Sequence, residues 1–205
     1  MYYGEDGNVV GWGPETPKPV LLHSELGGIR SFENFKGEKV ERFKHRLSRT
    51  ASSPLPDSSD FSPLPEGKTA IDVVTDYLQQ LRKSISDQLQ EILGEEIAVG
   101  RTNVQYYFTY PAAWTKTTQS ALHTAIVQAG YVRDNDDDER LGLMPENLAT
   151  VIFCTKRDML KLEPKEIVLV INSSSSICDS ISYQFEDLES CTFTQYTSLL
   201  ENSFG

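Results

Sequence analysis

KEIVLVINSSSSICDSISYQF, Lys165 to Phe185, is the stretch on which the reading of this chain turns. Its first strand, Ile167 to Ile171, is a continuous apolar run, the pattern of a strand buried on both faces. Four serines follow, Ser173 to Ser176, flanked by Asn172 and Ile177. From Asp179 to Phe185 the pattern loosens into alternation, with Ile181, Tyr183 and Phe185 on one face. Strand, tight loop, strand is the layout of a hairpin that meets phosphate at its tip. Such tips ordinarily use glycine, because the backbone must take positive φ and approach its ligand closely. Here serines stand in the loop instead. The layout of a phosphate hairpin is present without the residues that do phosphate chemistry.

The 205 residues, 39% of them apolar, suffice for one good-sized domain or two small ones. The 30 acidic and 19 basic residues leave a net charge of -11, which argues against nucleic acid or an anionic membrane as the main partner. No stretch approaches the roughly 18–20 apolar residues needed to span a bilayer. The opening MYYGEDGN is acidic and lacks the apolar core of a secretory signal. Cys154, Cys178 and Cys191 form an odd, widely spaced set without a CxxC pair. Free thiols in a reducing compartment follow, and the expected location is cytoplasmic. In that compartment the Asn172-Ser173-Ser174 glycosylation pattern carries no weight.

Along the chain, a Glu-Asp-Gly-Asn turn before Val9, Val10 and Trp12 predicts half of a β-hairpin, broken off by Pro14, Pro17 and Pro19. Ile29 to Leu47 scatters apolar positions among charges and predicts short helices. Ser48 to Gly67 is rich in serine and proline and reads as a solvated loop, with phosphorylation as the alternative use. The spacing of Ile71, Val74, Leu78, Leu81, Ile85, Leu89 and Ile92 predicts a helix from Thr69 to about Leu93, stopped by Gly94. Thr69 caps it, with Asp72 completing a variant capping box. The stripe is read as core packing, a coiled-coil face being the alternative. Asn103 to Thr109 reads as a strand and Thr115 to Ala129 as a second helix closed by Gly130. Glu146 to about Met159 reads as a third helix. Alternating strands and helices give an α/β layer structure.

Four constellations fail as sites. The acidic run Asp134 to Glu139 would need glycine and glutamate at the sixth and twelfth loop positions to hold calcium, where Glu139 and Pro145 stand. His23, His45 and His123 lie in unrelated contexts, and no G-x-S-x-G elbow singles out a serine nucleophile. Gly11-Trp12-Gly13 runs into Pro14 and is no dinucleotide fingerprint.

An ordered set of segments does stand out: Asp6-Gly7-Asn8-Val9-Val10-Gly11-Trp12-Gly13, then LPEGKTAIDVVTDYL (Leu64 to Leu78), then TYPAAW (Thr109 to Trp114), RLGLMPENLATVIFC and the serine hairpin. This order resembles the nucleotide-binding domain of the heat shock protein 70 kDa family, within the actin-like ATPase superfamily, and in particular its divergent, largely fungal branch. The resemblance spans roughly residues 6 to 190. It implies an α/β fold, the first lobe of an actin-like ATPase domain, a ribonuclease-H-like mixed sheet with flanking helices. It also implies a division into residues 1–47, the N-terminal part of the lobe, a Ser/Pro-rich loop at 48–68, and residues 69–205, the remainder of the same lobe. The lobe is expected to be incomplete at both ends, with the first phosphate hairpin and the second lobe outside the chain. An exposed sheet edge and an uncovered apolar face are expected to result.

What the resemblance implies for chemistry is loss. ATP and magnesium are the family's cofactors. The aspartate that holds magnesium-bound water falls on Asn172, and the three loop glycines fall on Ser174, Ser175 and Ser176. The loop threonine falls on Ile177, and the second aspartate survives as Asp179, an indirect magnesium contact through water. The glutamate that organises the attacking water falls on Met144, and the phosphate-contacting lysine corresponds most closely to Lys44. The expected function is thus a catalytically degenerate ATPase domain with lost or weak ATP binding. The alternatives are a chaperone-type ATPase completed by a second chain, and a noncatalytic module that meets a protein partner or client.

Overall fold

The computed structural model describes residues 1–13, 22–23, 29–30, 38–41, 43–47, 63–93, 104–133, 140–173, 177–187 and 190–203. The protein is a mixed α/β structure of small sheets and helices, and it divides into two compact units. One comprises Met1–Thr102 with Ser120–Asp134, the other Asn103–Gln119 with Asn135–Gly205.

In the first unit, β1 (Tyr2–Tyr3) pairs antiparallel with β2 (Val9–Gly11) and with β5 (Glu38–Lys39). The Asp-Gly-Asn turn closes the hairpin as its residues require. Gly7 sits at φ 73°, and Asp6 accepts hydrogen bonds from the backbone and side chain of Asn8 at 3.0 and 2.8 Å. The short helices expected over Ile29–Leu47 are mostly absent among the described residues. β4 (Ile29–Arg30) pairs with β3 (Leu22–His23), β5 follows, and only α1 (Lys44–Leu47) is helical. Sparse apolar residues in a charged segment fit short two-residue strands as well as helices, and pairing decided it. Of the Ser/Pro-rich loop, residues 48–62 lie outside the described residues; at its end Lys68 N–H bonds the Pro65 carbonyl, with Gly67 at φ 74°.

Helix α2 (Ala70–Leu93) begins with the expected box. The Thr69 hydroxyl accepts from Asp72 N–H at 3.2 Å, and the Asp72 carboxylate accepts from Thr69 N–H at 2.7 Å. The Thr69 hydroxyl, donating to the Asp72 carboxylate at 2.6 Å, and after it the Thr69 N–H hold the Asp72 carboxyl below its ordinary range. The box therefore stabilises the fold above the usual carboxylate range and fades as pH falls through the lowered value. Thr69→Ala is expected to cost about 1 kcal/mol in urea denaturation at neutral pH, and less in acid. An unchanged midpoint would show that the helix start is held by packing alone.

The apolar stripe of α2 is core only in its first half. Val73, Val74 and Leu78 are buried, whereas Ile85 is 39% and Ile92 75% exposed. Val73 joins Met1, Tyr3 and Val40, with Trp12, Phe43 and Tyr77 packed around them. The end of α3 (Lys116–Gln128) is tied to α2 by Thr75 hydroxyl to Gln128 and Tyr131 hydroxyl to the Leu78 carbonyl, both at 3.1 Å. Gly130 at φ 80° closes α3 in a Schellman arrangement, its N–H on Val127 and that of Tyr131 on Ile126.

In the second unit, β6 (Tyr106–Tyr110) and β7 (Leu141–Pro145) pair in parallel, Tyr106 opposite Leu141 through Tyr110 opposite Pro145. Parallel neighbours need a long crossover, and α3 lies between them in the chain. Then come α4 (Glu146–Lys156), β8 (Ile167–Ser173), β9 (Ile177–Asp187) and β10 (Thr192–Ser203). The last three form an antiparallel sheet in the order β10-β9-β8. Its inner face carries the expected Ile181, Tyr183 and Phe185, all buried, with Val151 of α4 packed on Ile181 and Tyr183.

The double-sided burial expected for Ile167–Ile171 is not what the structure has. Among the described residues β8 is the edge of its sheet, Val168 and Val170 face the inner core, and Ile167, Leu169 and Ile171 are exposed. A run of aliphatic residues sets strand propensity but leaves open what covers each face.

Candidate functional site

The serine hairpin is formed by β8 and β9, paired from Ile167 opposite Gln184 to Ser173 opposite Cys178. Its root is a bulge. Lys165, at φ 76°, donates its N–H to the Phe185 carbonyl at 2.7 Å, and Phe185 N–H returns to Glu166 at 2.9 Å. At its tip Asn172 stands directly opposite Asp179. Ser174, Ser175 and Ser176 lie outside the described residues. Ile177 and Asp179 are placed on β9 by their backbone, and Asn172 is exposed. The hairpin thus brings together two of the residues singled out from sequence, a neutral amide and a carboxylate-bearing position.

Met144 lies elsewhere in this unit, half-buried on β7 opposite Thr109. Two residues later α4 begins after Pro145, which supplies no side-chain cap. Lys44 opens α1 in the other unit and is exposed. His123 is exposed on α3, and Cys154 and Cys191 are free thiols. The side chains of His23, His45 and Cys178 and the acidic run 134–139 fall outside the described residues. Among the described residues no group of three potential metal ligands stands together, and no helix is long and apolar enough to cross a membrane.

Sequence reasoning passed over two features. Thr109, Glu146, Ala149, Thr150 and Phe153 line an open depression of about 410 Å³. It sits where β6 ends and α4 begins, at the carboxyl ends of parallel strands, where α/β proteins commonly take ligands. These side chains can hydrogen-bond and stack; no histidine, cysteine or lysine is among them. The Thr150 hydroxyl already donates to the Glu146 carbonyl at 3.0 Å, and the Arg157 guanidinium lies over the Phe153 ring at 5.6 Å. The second feature is Asn147, only 1% exposed in the first turn of α4, with neither side-chain polar atom hydrogen-bonded among the described residues. The signal was an asparagine directly inside a proline-led helix start, a position where polar residues usually face water.

No protein-family model matches the chain, and no curated protein does.

Proposed function

We propose that the chain carries a first-lobe fold of the actin-like ATPase kind, ribonuclease-H-like and similar to the heat shock protein 70 kDa family, and that it is catalytically silent, with ATP binding lost or weak. The observation that carries this reading is the pairing of Asn172 with Asp179 across the β8–β9 hairpin. The offset between the two aspartates of the family's phosphate loop becomes a cross-strand pair here, and the first of them is a neutral amide. The succession β6, α3, β7, α4 and hairpin supports the same reading.

These residues do not fit a magnesium triphosphate. Asn172 offers no negative charge to a hydrated cation, and serine at three loop positions replaces the glycines whose bare backbone lets amides approach phosphate oxygens. Met144 presents a thioether where an attacking water needs a carboxylate. Phosphoryl transfer depends on positioning and charge stabilisation, and both are reduced here. Contact with a protein partner or client, in the cytoplasm, then proceeds without nucleotide turnover. The exposed apolar side of β8 favours a second reading, a noncatalytic interaction module.

A thermal melt with and without millimolar magnesium ATP tests the first reading. Ligand at 100 times its dissociation constant would add about 2.7 kcal/mol and raise the midpoint by several degrees. No shift is expected. A shift that disappears in Asp179→Ala would overturn the proposal.

A further inference from the structure

The exposed apolar side chains of β8 are Ile167 at 51%, Leu169 at 51% and Ile171 at 63%. Backbone geometry singles out the same three residues. Phe185 N–H bonds the Glu166 carbonyl, and the bonded and unbonded positions of an antiparallel ladder alternate. The amides and carbonyls of Ile167, Leu169 and Ile171 therefore point away from β9, toward the sheet edge. Moreover, Ile167-Val168-Leu169-Val170-Ile171 reads identically in both directions about Leu169.

We propose that this edge is a homodimer interface. A second copy of the chain adds its own β8 antiparallel, on a two-fold axis through Leu169, and the two three-stranded sheets become one. Leu169 then faces the partner's Leu169, Ile167 faces the partner's Ile171, and Val168 faces the partner's Val170. All three outward-pointing backbone positions find partners that also point outward.

The palindrome sets the register, and charge favours the antiparallel sense. Lys165 falls opposite the partner's Ser173 and Glu166 opposite the partner's Asn172, so no like charges meet. Parallel stacking of β8 would set lysine beside lysine and glutamate beside glutamate, which is unfavourable. β9 occupies the inner edge of β8, so among the described residues the pairing uses the one free β8 edge of each copy and the assembly closes at two. Pairing of two short strands buries less than the roughly 1,200 Å² of a standard stable complex, so the dimer belongs to the weak class.

Sedimentation equilibrium of the full chain over a micromolar to submillimolar series tests the proposal. A monomer–dimer equilibrium is expected. Leu169→Lys, which sets two ammonium groups face to face at a half-exposed position, is expected to weaken it by roughly tenfold or more, with the circular dichroism spectrum unchanged. Position 169 meets itself across the axis, so Leu169→Cys is expected to form a disulfide dimer under mild oxidation. Ile167→Cys is not, because its two copies stand about 13 Å apart along the strands, beyond disulfide reach. A chain that stays monomeric throughout overturns the proposal and leaves the edge to a strand of another polypeptide. Open-ended aggregation without a discrete dimer, a dimer indifferent to Leu169→Lys, or equal cross-linking at 167 and 169 overturns it as well.

Discussion

Phe185→Ala is expected to destabilise the protein by about 3–5 kcal/mol, read as a lowered midpoint in urea denaturation. Phe185 is fully buried on the inner face of β9, and its ring lies 5.1 Å from that of Phe193 on β10. Phe193 in turn meets Tyr183 edge to face at 6.5 Å. Truncation removes the ring's transfer free energy and leaves a cavity that two strands of one sheet cannot close without breaking their ladder. The backbone of Phe185 also anchors the bulge at Lys165 and Glu166, so the side chain packs at the root of the hairpin. A loss below about 1 kcal/mol would mean that this face is not a packed core.

The second large effect is expected at Asp76. Its carboxylate accepts from Lys68 at 2.6 Å and from the Tyr3 hydroxyl at 3.0 Å, and the Lys68 ammonium lies 5.2 Å from the Tyr3 ring centre. Tyr3 itself is 1% exposed, and burial together with Asp76 pushes its hydroxyl well above the ordinary tyrosine range. Asp76→Ala leaves a partly buried ammonium and a buried hydroxyl without their acceptor, a loss of about 2 kcal/mol after allowing for solvent around the pair. Removing the charges together, as Lys68→Met with Asp76→Leu, is expected to recover part of that loss. Equal destabilisation by the single and double variants would show that Asp76 acts through packing rather than charge.

Both sites show where sequence was informative and where it was not. The hairpin at Asp6-Gly7-Asn8, the box at Thr69 and Asp72 and the glycine stop at Gly130 are local chemistry, and local chemistry is legible. So is the face shared by Ile181, Tyr183 and Phe185, because period-two alternation means one thing only. The second half of α2 and the outer face of β8 were misread for a common reason. Aliphatic spacing reports the capacity to be buried, while burial itself depends on what is packed alongside. β7 was missed because Leu141-Gly142-Leu143-Met144-Pro145 carries glycine and proline, both poor strand formers, and its pairing with β6 overrides them. The polar Thr192–Ser203 gave no apolar alternation to read, yet it forms β10. At the candidate site, the seven-residue offset of Asn172 and Asp179 could be counted in the sequence, whereas their opposition across the hairpin comes from the ladder. The burial of Asn147 could not be read there, since it depends on how α4 lies against three strands at once.

The way the chain divides between its units also bears on how the protein is made. Residues 120–134 complete the first unit, but residues 103–119, which precede them, belong to the second. During synthesis from the N-terminus, the first unit lacks part of itself until the end of α3 has left the ribosome. By then the opening segment of the second unit, β6 included, is already outside and waiting for β7. The order of translation and the order of assembly are therefore interleaved, so neither unit can be finished and set aside before the other is begun.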